Sequence, residues 1–398
     1  MTYKSIMLEI CGKCNAQCLY CYTGRVNRGM DCNEGTLMSV ENFRKCLDFL
    51  IKKQLCDQST HFCLYNYGEP LLHPHLAEIM EIINSSGMTF EISTNGSILP
   101  SESFYKNISG LTMMKFSMCG FSDESYKKIS RLSFETCKEH IAKIVYELRA
   151  NGWKGIANLK FHVYKHNMEE VICAKQFAED NGIVFSPIHA IIGDLKLQTD
   201  WIDNLTDNEF NDSVRRDLVS ANIFKSMVLD KPDNWICPLT KELVVDERLQ
   251  VINCCMATRN DKQGYERIGS LFEYHDIISE RCQSEVERRC LMHGVGYAIC
   301  NIPTYIDPLL LDEIENVLSM GTVDVIGDDF VFSSFASVFD KYSKEWNHFS
   351  DVESYIKKGT GNSLIVADGK FGEIRKQIKD YIGKNNILVK YYHYNIRK

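Results

Sequence analysis

The sequence has few of the features that mark secreted, membrane or nucleic-acid-binding proteins. Its 398 residues contain no apolar run of about 18 residues, and Lys4 interrupts the first residues, where a signal peptide would lie. The formal net charge of −8 offers no basic surface for nucleic acid. We therefore expect a cytoplasmic protein whose partners include neither a membrane nor a nucleic acid.

Disulfide bonds are also not expected. The chain has 17 cysteines, an odd number, and no secretory signal, which argues for metal ligands and buried thiols rather than a disulfide framework. Hydrophobic residues make up 44% of the chain and charged residues 25%, as in an ordinary globular protein. The length predicts about two to three domains.

Three cysteines near the start have a spacing that suits a metal cluster. Cys14, Cys18 and Cys21 are separated by gaps of three and two residues and follow an apolar, strand-like run at 5–10. Three thiolates in one tight loop can bind three corners of a cubane iron–sulfur cluster, which leaves the fourth iron without a protein ligand. Zinc, a redox pair and coincidence are the alternatives for clustered cysteines, and Cys11, outside the spacing, is predicted to pack in the core.

The first half of the chain alternates strand-like and helical patterns. Such repeats predict an α/β fold with a parallel sheet and helices outside it, here a partial (β/α)6 barrel. The predicted strands are 5–10, 61–65, 89–93, 114–117, 158–164 and 183–188, and the predicted helices are 40–53, 76–85, 136–149 and 168–179. The chemistry of such folds lies at the carboxyl ends of the strands, so the residues after each strand are site candidates.

These motifs together resemble the radical SAM superfamily, whose members bind S-adenosylmethionine on the open iron of a [4Fe-4S] cluster. The segment at 67–70 after the second strand is similar to the glycine-glycine-glutamate segment of the family, except that Tyr67 replaces the first glycine. The resemblance implies that the cofactor is contacted by Tyr20, Gly68, Glu69, Pro70, Ser93, Asn95, Ser117, Arg131 and Asn167. An ordinary turn at 67–70 and a helix cap at Asn167 are the structural alternatives.

The resemblance also implies a reaction. An electron passed into S-adenosylmethionine would break a carbon–sulfur bond and give a 5′-deoxyadenosyl radical, which takes a hydrogen atom from an unactivated carbon. An external one-electron reductant of the flavodoxin or ferredoxin type is then an expected partner. Cys119, after the fourth strand, is a candidate catalytic hydrogen donor, although most free cysteines are simply small buried residues.

A second cysteine group surrounds a strand-turn-strand pattern at 243–246 and 249–252. Cys237, eleven residues, Leu249, four residues and Cys254 resemble the auxiliary-cluster extension of radical SAM enzymes, called SPASM or, in its shorter form, twitch. The extension has glycine at the position of Leu249. We predict a second iron–sulfur cluster whose metal ligands are Cys237, Cys254, Cys290 and Cys300, with His293 and Cys282 as further candidates. Tetrahedral zinc and no metal are the alternatives.

Residues 303–398 contain no cysteine and have a different pattern. Strands at 323–328, 364–368 and 388–392 and helices at 329–342 and 371–382 predict a small Rossmann-like α/β module. A glycine-rich phosphate motif is missing, so we prefer partner docking or substrate selection to nucleotide binding. The predicted domains are the radical SAM barrel at 1–190, bridging helices with the SPASM/twitch-like domain at 191–302, and this module at 303–398.

Three functions are compatible with the sequence. The first is a radical enzyme acting on a carbohydrate, an aminocyclitol or a similar polar small molecule, in which the auxiliary cluster anchors substrate or transfers electrons. The extra carboxyl-terminal module favours it. The second is a maturase of a peptide or protein, the commonest role of the same cysteine extension, and the third is a non-catalytic metal-binding redox scaffold.

Overall fold

The computed structural model describes most of the first three hundred residues and short parts of the remainder. The described ranges are 2–30, 35–218, 234–257, 267–274, 285–301, 323–327, 346–359, 364–367 and 388–390, with single residues at 220, 221, 224, 228, 231 and 377. The chain forms two compact units, Met1–Cys300 and Asn301–Lys398. Within the described ranges, the helices are too short or too polar to cross a bilayer.

The first unit is built on a nine-stranded sheet. Its strands are β1 (Ser5–Leu8), β2 (His61–Cys63), β3 (Thr89–Thr94), β4 (Leu111–Met118), β5 (Ile156–Val163), β6 (Val184–His189), β7 (Leu243–Val245), β8 (Gln250–Ile252) and β9 (Arg267–Ser270). Their order is β6-β5-β4-β3-β2-β1-β7-β8-β9. Strands β1 to β6 are all parallel, at the six positions predicted from the sequence. The fold is therefore α/β with a parallel sheet, consistent with a barrel-like core.

Side chains alternate between the two faces of these strands. Phe62, Phe90, Phe116 and Phe161 are fully buried on one face, which is the apolar face that the crossover helices cover. The opposite face, the lumen of the barrel, carries polar residues on several strands. This division leaves a polar interior next to the loops at the carboxyl ends of the strands.

Helices connect the strands and begin at polar caps. They are α1 (Tyr22–Asn27), α2 (Val40–Lys52), α3 (Leu76–Ser85), α4 (Glu102–Lys106), α5 (Asp123–Ile129), α6 (Phe134–Ala150), α7 (Val171–Asp180), α8 (Leu195–Ile202), α9 (Asn208–Asp217), α10 (Glu285–Met292) and α11 (Val295–Asn301). Five of these helices have an N-cap residue whose side-chain oxygen accepts the backbone N–H of the residue three positions later. These N-cap residues are Ser39, Ser122, Ser133, Asp194 and Asp207. The predicted stops after α6 and α7 are present, since Gly152 and Gly182 have φ of 81° and 63°.

The strand pair of the second cysteine group extends the same sheet. β7 pairs in parallel with β1, β8 is antiparallel to β7, and β9 is antiparallel to β8. The turn between β7 and β8 therefore lies at the carboxyl end of β1, and the loop after β8 contacts the segment after β6, where Leu195 N donates to Met256 O at 3.0 Å.

The second unit contains a four-stranded parallel sheet. Its strands are β10 (Val323–Gly327), β11 (Trp346–Phe349), β12 (Leu364–Ala367) and β13 (Leu388–Lys390), in the order β11-β10-β12-β13, and α12 (Val352–Lys358) follows β11. β11 and α12 were not expected from the sequence. The helix predicted at 329–342 lies outside the described residues, as does all of 371–382 except residue 377.

Candidate functional site

The first three cysteines lie in one loop between β1 and α1. Cys21 is the residue before α1, and the backbone N–H groups of Thr23 and Gly24 donate to its thiol. Cys14 Sγ accepts the N–H of Ala16 at 3.4 Å. Burial is the main reason why the pKa of each of the three thiols is raised. Binding of a metal cluster here would therefore displace thiol protons.

The backbone of this loop is fixed by close packing and by side-chain donors. A Cβ added to Gly24 would lie 2.2 Å from the carbonyl oxygen of Cys18, so no side chain fits there. Asn27 Nδ2 donates to the carbonyls of Cys14 at 2.7 Å and Ala16 at 2.6 Å. The loop is consequently held in one shape by the helix that follows it.

Tyr20 has a structural role that the sequence did not predict. Its side chain is 2% exposed, its hydroxyl donates to Ser213 O and Asp217 Oδ2, each at 3.0 Å, and its ring stacks on Tyr164. A contact between Tyr20 and the cofactor stays a prediction. Its hydroxyl and ring are both engaged in packing the cysteine loop against α9.

Glu69 lies beside the cysteine loop. Its Oε1 accepts from Thr94 Oγ1 at 2.7 Å and from Leu71 N at 3.1 Å, and its Oε2 accepts from Asn95 N at 2.7 Å. Burial raises the pKa of Glu69 to about 7, although these three hydrogen bonds oppose the shift. Its charge acts on the Cys14 thiol, so a carboxylate faces the site next to the first metal ligand candidate.

Gly68 allows the backbone of this segment to pass close to the cysteine loop. A Cβ at Gly68 would lie 1.7 Å from the carbonyl oxygen of Cys11. Glu9, buried at the end of β1, accepts the N–H groups of Tyr67 at 2.9 Å and Gly68 at 2.6 Å. The sequence analysis missed Glu9, and the signal for it was a charged residue inside an apolar strand pattern. Pro70 begins the 3-10 turn Pro70–Leu72 after this segment.

Asn95 ties the end of β3 to the cysteine loop. Its Nδ2 donates to Asn15 Oδ1 at 3.0 Å and to Cys14 Sγ at 3.7 Å, and its Oδ1 accepts Ser97 N at 2.9 Å. Ser93, two residues earlier, is partly exposed. Glu69, Asn95 and Cys14 are thus brought together as parallel strands predict.

The fourth strand contributes residues on the other side of the loop. Ser117 is partly exposed near the end of β4. Arg131 has φ of 58°, an unusual conformation for a residue other than glycine, and its Nη1 donates to Gln17 Oε1 at 2.9 Å. Cys119 is buried, and burial raises the pKa of its thiol to about 11. Cys119 and Cys18 act electrostatically on each other, so this thiol lies beside the cysteine loop.

Asn167 is buried between the ends of β4 and β5. It has no exposed surface, its Nδ2 donates to the carbonyls of Cys119 at 2.9 Å and His162 at 3.0 Å, and its Oδ1 accepts Tyr164 N at 2.7 Å. Both amide hydrogens are therefore used to join the ends of β4 and β5. A contact between Asn167 and the cofactor stays a prediction.

The lumen contains a charged group that sequence reasoning missed. Lys115 Nζ donates to Glu91 Oε1 at 2.5 Å and to Tyr65 OH at 2.9 Å, and both charged side chains are at most 10% exposed. Burial raises the pKa of Glu91, but hydrogen bonds from His61 and Lys115 and the charge of Lys115 bring it well below its ordinary value. The signal was opposite charges inside two consecutive apolar strands.

Three of the lumen residues also have the spacing of a metal site. Ligand atoms of His61, Cys63 and Glu91 lie within 4.8 Å of one another. However, the Lys115 ammonium already forms an ion pair with the Glu91 carboxylate, and it would repel a metal cation bound beside it. We therefore interpret this group as a buried ion pair with polar neighbours.

The second cysteine group converges in space. A Cβ at Gly296 would lie 3.3 Å from Cys290 Sγ and 3.6 Å from Cys237 Sγ, so Gly296 leaves room between two thiols. The thiol of Cys300 forms a hydrogen bond with that of Cys237, and the charges of Cys254 and Cys290 also act on it. The thiols of Cys255 and Cys254 form a second hydrogen bond. The structure thus brings together the four predicted ligands and Cys255.

His293 is directed to a different partner. Its Nδ1 lies 2.6 Å from Asp203 Oδ1, and Arg289 donates to Asp203 Oδ2 at 2.7 Å. A histidine held by this carboxylate serves the contact between α8 and α10. Its candidacy as a metal ligand stays a prediction. Cys282 lies outside the described residues.

Comparison with known proteins identifies the barrel. Residues 8–177 match the family model of the Radical SAM superfamily. This part of the chain is a radical SAM domain. The superfamily is enzymatic, and a radical SAM domain implies a [4Fe-4S] cluster with S-adenosylmethionine.

Curated relatives match part of the chain. A probable GTP 3′,8-cyclase of Methanothermobacter thermautotrophicus is 29% identical over 143 residues, which are 35% of this chain and 44% of that protein. A probable GTP 3′,8-cyclase of Methanothermobacter marburgensis is 30% identical over 132 residues, or 33% and 40%. The chain spans less than half the length of these relatives.

Solved structures with related folds are more distant in sequence. SuiB of Streptococcus suis bound to S-adenosylmethionine is 11% identical with a TM-score of 0.47, covering 73% of this chain and 68% of that chain. The structure of anSMEcpe with bound AdoMet is 16% identical with a TM-score of 0.47, covering 71% and 81%.

The residues of the radical SAM domain fit the implied cofactors. Three thiols converge in one loop, and Gly24 and Gly68 let backbone approach it where a side chain would clash. Glu69 offers a buried carboxylate beside Cys14, which suits the ammonium group of a bound amino acid. The charge and the donor set are thus those that a cluster and S-adenosylmethionine require.

Proposed function

We propose that the protein is a radical SAM enzyme that reductively cleaves S-adenosylmethionine and uses the resulting radical to abstract a hydrogen atom from a polar small molecule. The observation that carries this proposal is the convergence of Cys14, Cys18 and Cys21 beside the buried carboxylate of Glu69. When bound, the cluster and S-adenosylmethionine supply one-electron chemistry that no protein side chain provides. An external flavodoxin or ferredoxin is the proposed source of the electron.

The roles of the protein residues follow from their positions. Cys14, Cys18 and Cys21 would hold the cluster, and Glu69 would receive the ammonium group of S-adenosylmethionine. Asn95 keeps the cysteine loop in place through Asn15. Ser93, Ser117 and Arg131, at the ends of β3 and β4 or after them, are proposed contacts for the remainder of the nucleotide. Cys119 is kept as a hydrogen-donor candidate because it lies beside Cys18.

The lumen supports a polar substrate. Asn158 Nδ2 donates to Ser186 Oγ at 2.8 Å, and the pair of Lys115 and Glu91 lies on the same face of the sheet. A barrel lined in this way would solvate hydroxyl, amino or phosphate groups better than an apolar substrate. A carbohydrate, an aminocyclitol or a nucleotide is the proposed class, and the nucleotide is included because of the names of the two cyclase relatives.

A second iron–sulfur cluster is proposed at the second cysteine group. Cys237, Cys254, Cys290 and Cys300 converge there, with the space left by Gly296 between two of them. Tetrahedral zinc bound by the same four thiolates is the alternative.

The same cysteine group favours a second candidate function, the modification of a peptide. The spacing at Cys237 and Cys254 resembles that of the SPASM/twitch extension, except for Leu249 at the glycine position, and the commonest role of that extension is in maturases. The two candidates separate when the reconstituted protein is incubated with S-adenosylmethionine and either nucleotides and aminocyclitols or peptides. Faster formation of 5′-deoxyadenosine with peptides alone would favour the maturase.

The radical SAM activity has a direct test. Anaerobically reconstituted protein with dithionite is expected to convert S-adenosylmethionine to 5′-deoxyadenosine, and the triple variant Cys14→Ala, Cys18→Ala, Cys21→Ala is expected to lose this product. Cys46→Ala is the matched control, because Cys46 is a buried thiol in α2 outside the site. An unchanged yield in the triple variant would refute the proposal.

The second cluster can be tested in the same background. The triple variant is expected to retain about four irons per chain, a full cubane. Adding Cys237→Ala and Cys254→Ala should remove them. Zinc in the triple variant, or a folded triple variant without metal, would contradict a second iron–sulfur cluster.

A further inference from the structure

Tyr67 lies between the two cysteine groups. Its side chain is 9% exposed, and its ring contacts that of Tyr22, the residue after Cys21, edge to face with centroids 6.1 Å apart. Two residues before it, Tyr65 packs on the same apolar cluster as Cys255. The end of β2 is therefore bordered by the first cysteine loop on one side and by the second on the other.

One short segment connects the same two loops. Gly193 forms a β-bridge with Cys21, and Leu195 N donates to Met256 O at 3.0 Å. Met256 N in turn donates to Cys254 Sγ at 3.3 Å. Three consecutive residues, 193–195, thus span from one cysteine loop to the other.

The main chain of Tyr67 is fixed, but its hydroxyl has no partner. Glu9 accepts the Tyr67 N–H at 2.9 Å, whereas the buried phenolic oxygen makes no hydrogen bond with any described residue. Leaving a buried polar group unpaired destabilises the fold. A buried hydroxyl of this kind, next to two groups of candidate metal ligands, is suited to form a hydrogen bond with a bound group that is not part of the polypeptide.

The surroundings keep this phenol protonated. Burial, and then the charges of Asp194, Cys21, Cys254 and Cys255, raise the pKa of Tyr67 well above its ordinary value. A protonated phenol can donate its hydrogen bond. Among the thiols, Cys21 acts on it most strongly.

We propose that the Tyr67 hydroxyl donates a hydrogen bond to sulfur at the cluster held by Cys14, Cys18 and Cys21 and thereby raises its reduction potential. Reduction makes the cluster more negative, so a donor to its sulfur stabilises the reduced form more than the oxidised form. The inference rests on the proposed function, since it requires the cluster. Tyr67 acts here as a positioning residue that tunes the site and touches no substrate.

The test is a reductive titration of the reconstituted full-length protein, followed by electron paramagnetic resonance. The signal of the first cluster is assigned by its absence from the Cys14, Cys18, Cys21 triple alanine variant. Tyr67→Phe is expected to keep the wild-type iron content but to lower the ratio of reduced to oxidised first cluster about tenfold at a fixed potential, equivalent to 59 mV for one electron. Tyr3→Phe, which removes a buried hydroxyl before β1 that contacts Tyr274, is expected to change nothing.

The outcomes separate the two proposals. Wild-type iron with equal midpoints in Tyr67→Phe, or a shift confined to the second cluster, would overturn the role of Tyr67 alone. Loss of first-cluster iron in Tyr67→Phe would make the residue structural and overturn it too. Wild-type protein that binds no cluster would overturn the proposed function and this inference with it.

Discussion

Binding of S-adenosylmethionine is expected to weaken as the pH falls through about 7, because Glu69 must be ionised to receive the ammonium group of the ligand. In the free protein, burial raises the pKa of this carboxyl from 4.5 to about 7 against the opposing hydrogen bonds from Asn95 N, Thr94 and Leu71 N. Below that pKa the carboxyl is protonated, so binding must displace a proton. Affinity therefore rises with pH until ionisation is complete.

The size of the effect follows from the raised pKa. The ionised fraction of a group with a pKa of about 7 is about 9% at pH ~6 and about 76% at pH ~7.5, so the affinity is expected to change about eightfold between them. Because the folded pKa lies above the unfolded one, ionisation of Glu69 also costs the free protein stability. That cost appears as the pH rises from 4.5 towards about 7 and reaches about 3 kcal/mol.

Equilibrium dialysis of labelled S-adenosylmethionine against reconstituted wild-type and Glu69→Gln protein measures the change. The amino group of the ligand titrates equally with both proteins, so the difference between their pH profiles isolates Glu69. Glu69→Gln should bind more weakly at the higher pH, with iron content near wild type and without the eightfold change. Identical pH profiles for the two proteins would refute the reasoning, and loss of iron would show that Glu69 is structural.

The remaining predictions concern stability and loop geometry. Lys115→Met leaves Glu91 buried without its cation and should lower the free energy of unfolding, measured by denaturant titration, by about 3–5 kcal/mol. The double variant Lys115→Met, Glu91→Met should recover much of this lost stability. Equal losses of stability in the single and double variants would argue against the ion pair. Gly68→Ala should abolish iron binding, because the added Cβ would clash with the backbone of Cys11. The control Gly29→Ala, at a position with open space around it, should retain iron. Similar iron contents in the two variants would contradict the proposed close approach at Gly68. Leu249→Gly should lower the unfolding free energy by about 1–2 kcal/mol, and a gain in stability would show that backbone strain dominates there.

Much of the barrel could be predicted because its signals are local. The run at 5–10 is apolar and short, and Asn181-Gly182 stops a helix through the conformations that these residues adopt. The meeting of Glu69 with Asn95 was also foreseeable, since consecutive parallel strands end at the same edge of a sheet. The match of residues 8–177 to the radical SAM family agrees with these local signals.

Contacts between distant residues could not be predicted in the same way. Asn167 is equally suited in the sequence to a ligand contact and to a helix cap, and its hydrogen bonds to the carbonyls of Cys119 and His162 could not be predicted. His293 has the right chemistry for a metal, but Asp203, which binds it, lies 90 residues away. The partner of Glu91 is likewise 24 residues distant, so charge inside the strands was visible while the pairing with Lys115 was not.

Leu249 shows how a motif can keep its backbone while changing its residue. It stands where the auxiliary extension has glycine, and its φ of 62° lies in the left-handed region that glycine favours. A leucine there costs about 1–2 kcal/mol, but its side chain is 6% exposed, and burying it contributes about 1.5–3 kcal/mol. Its N–H donates to Asp246 O at 3.0 Å and its carbonyl accepts Leu271 N at 2.8 Å, so the turn is held at both ends. The hairpin between β7 and β8 therefore forms without the glycine, and the departure at Leu249 does not weigh against a second cluster.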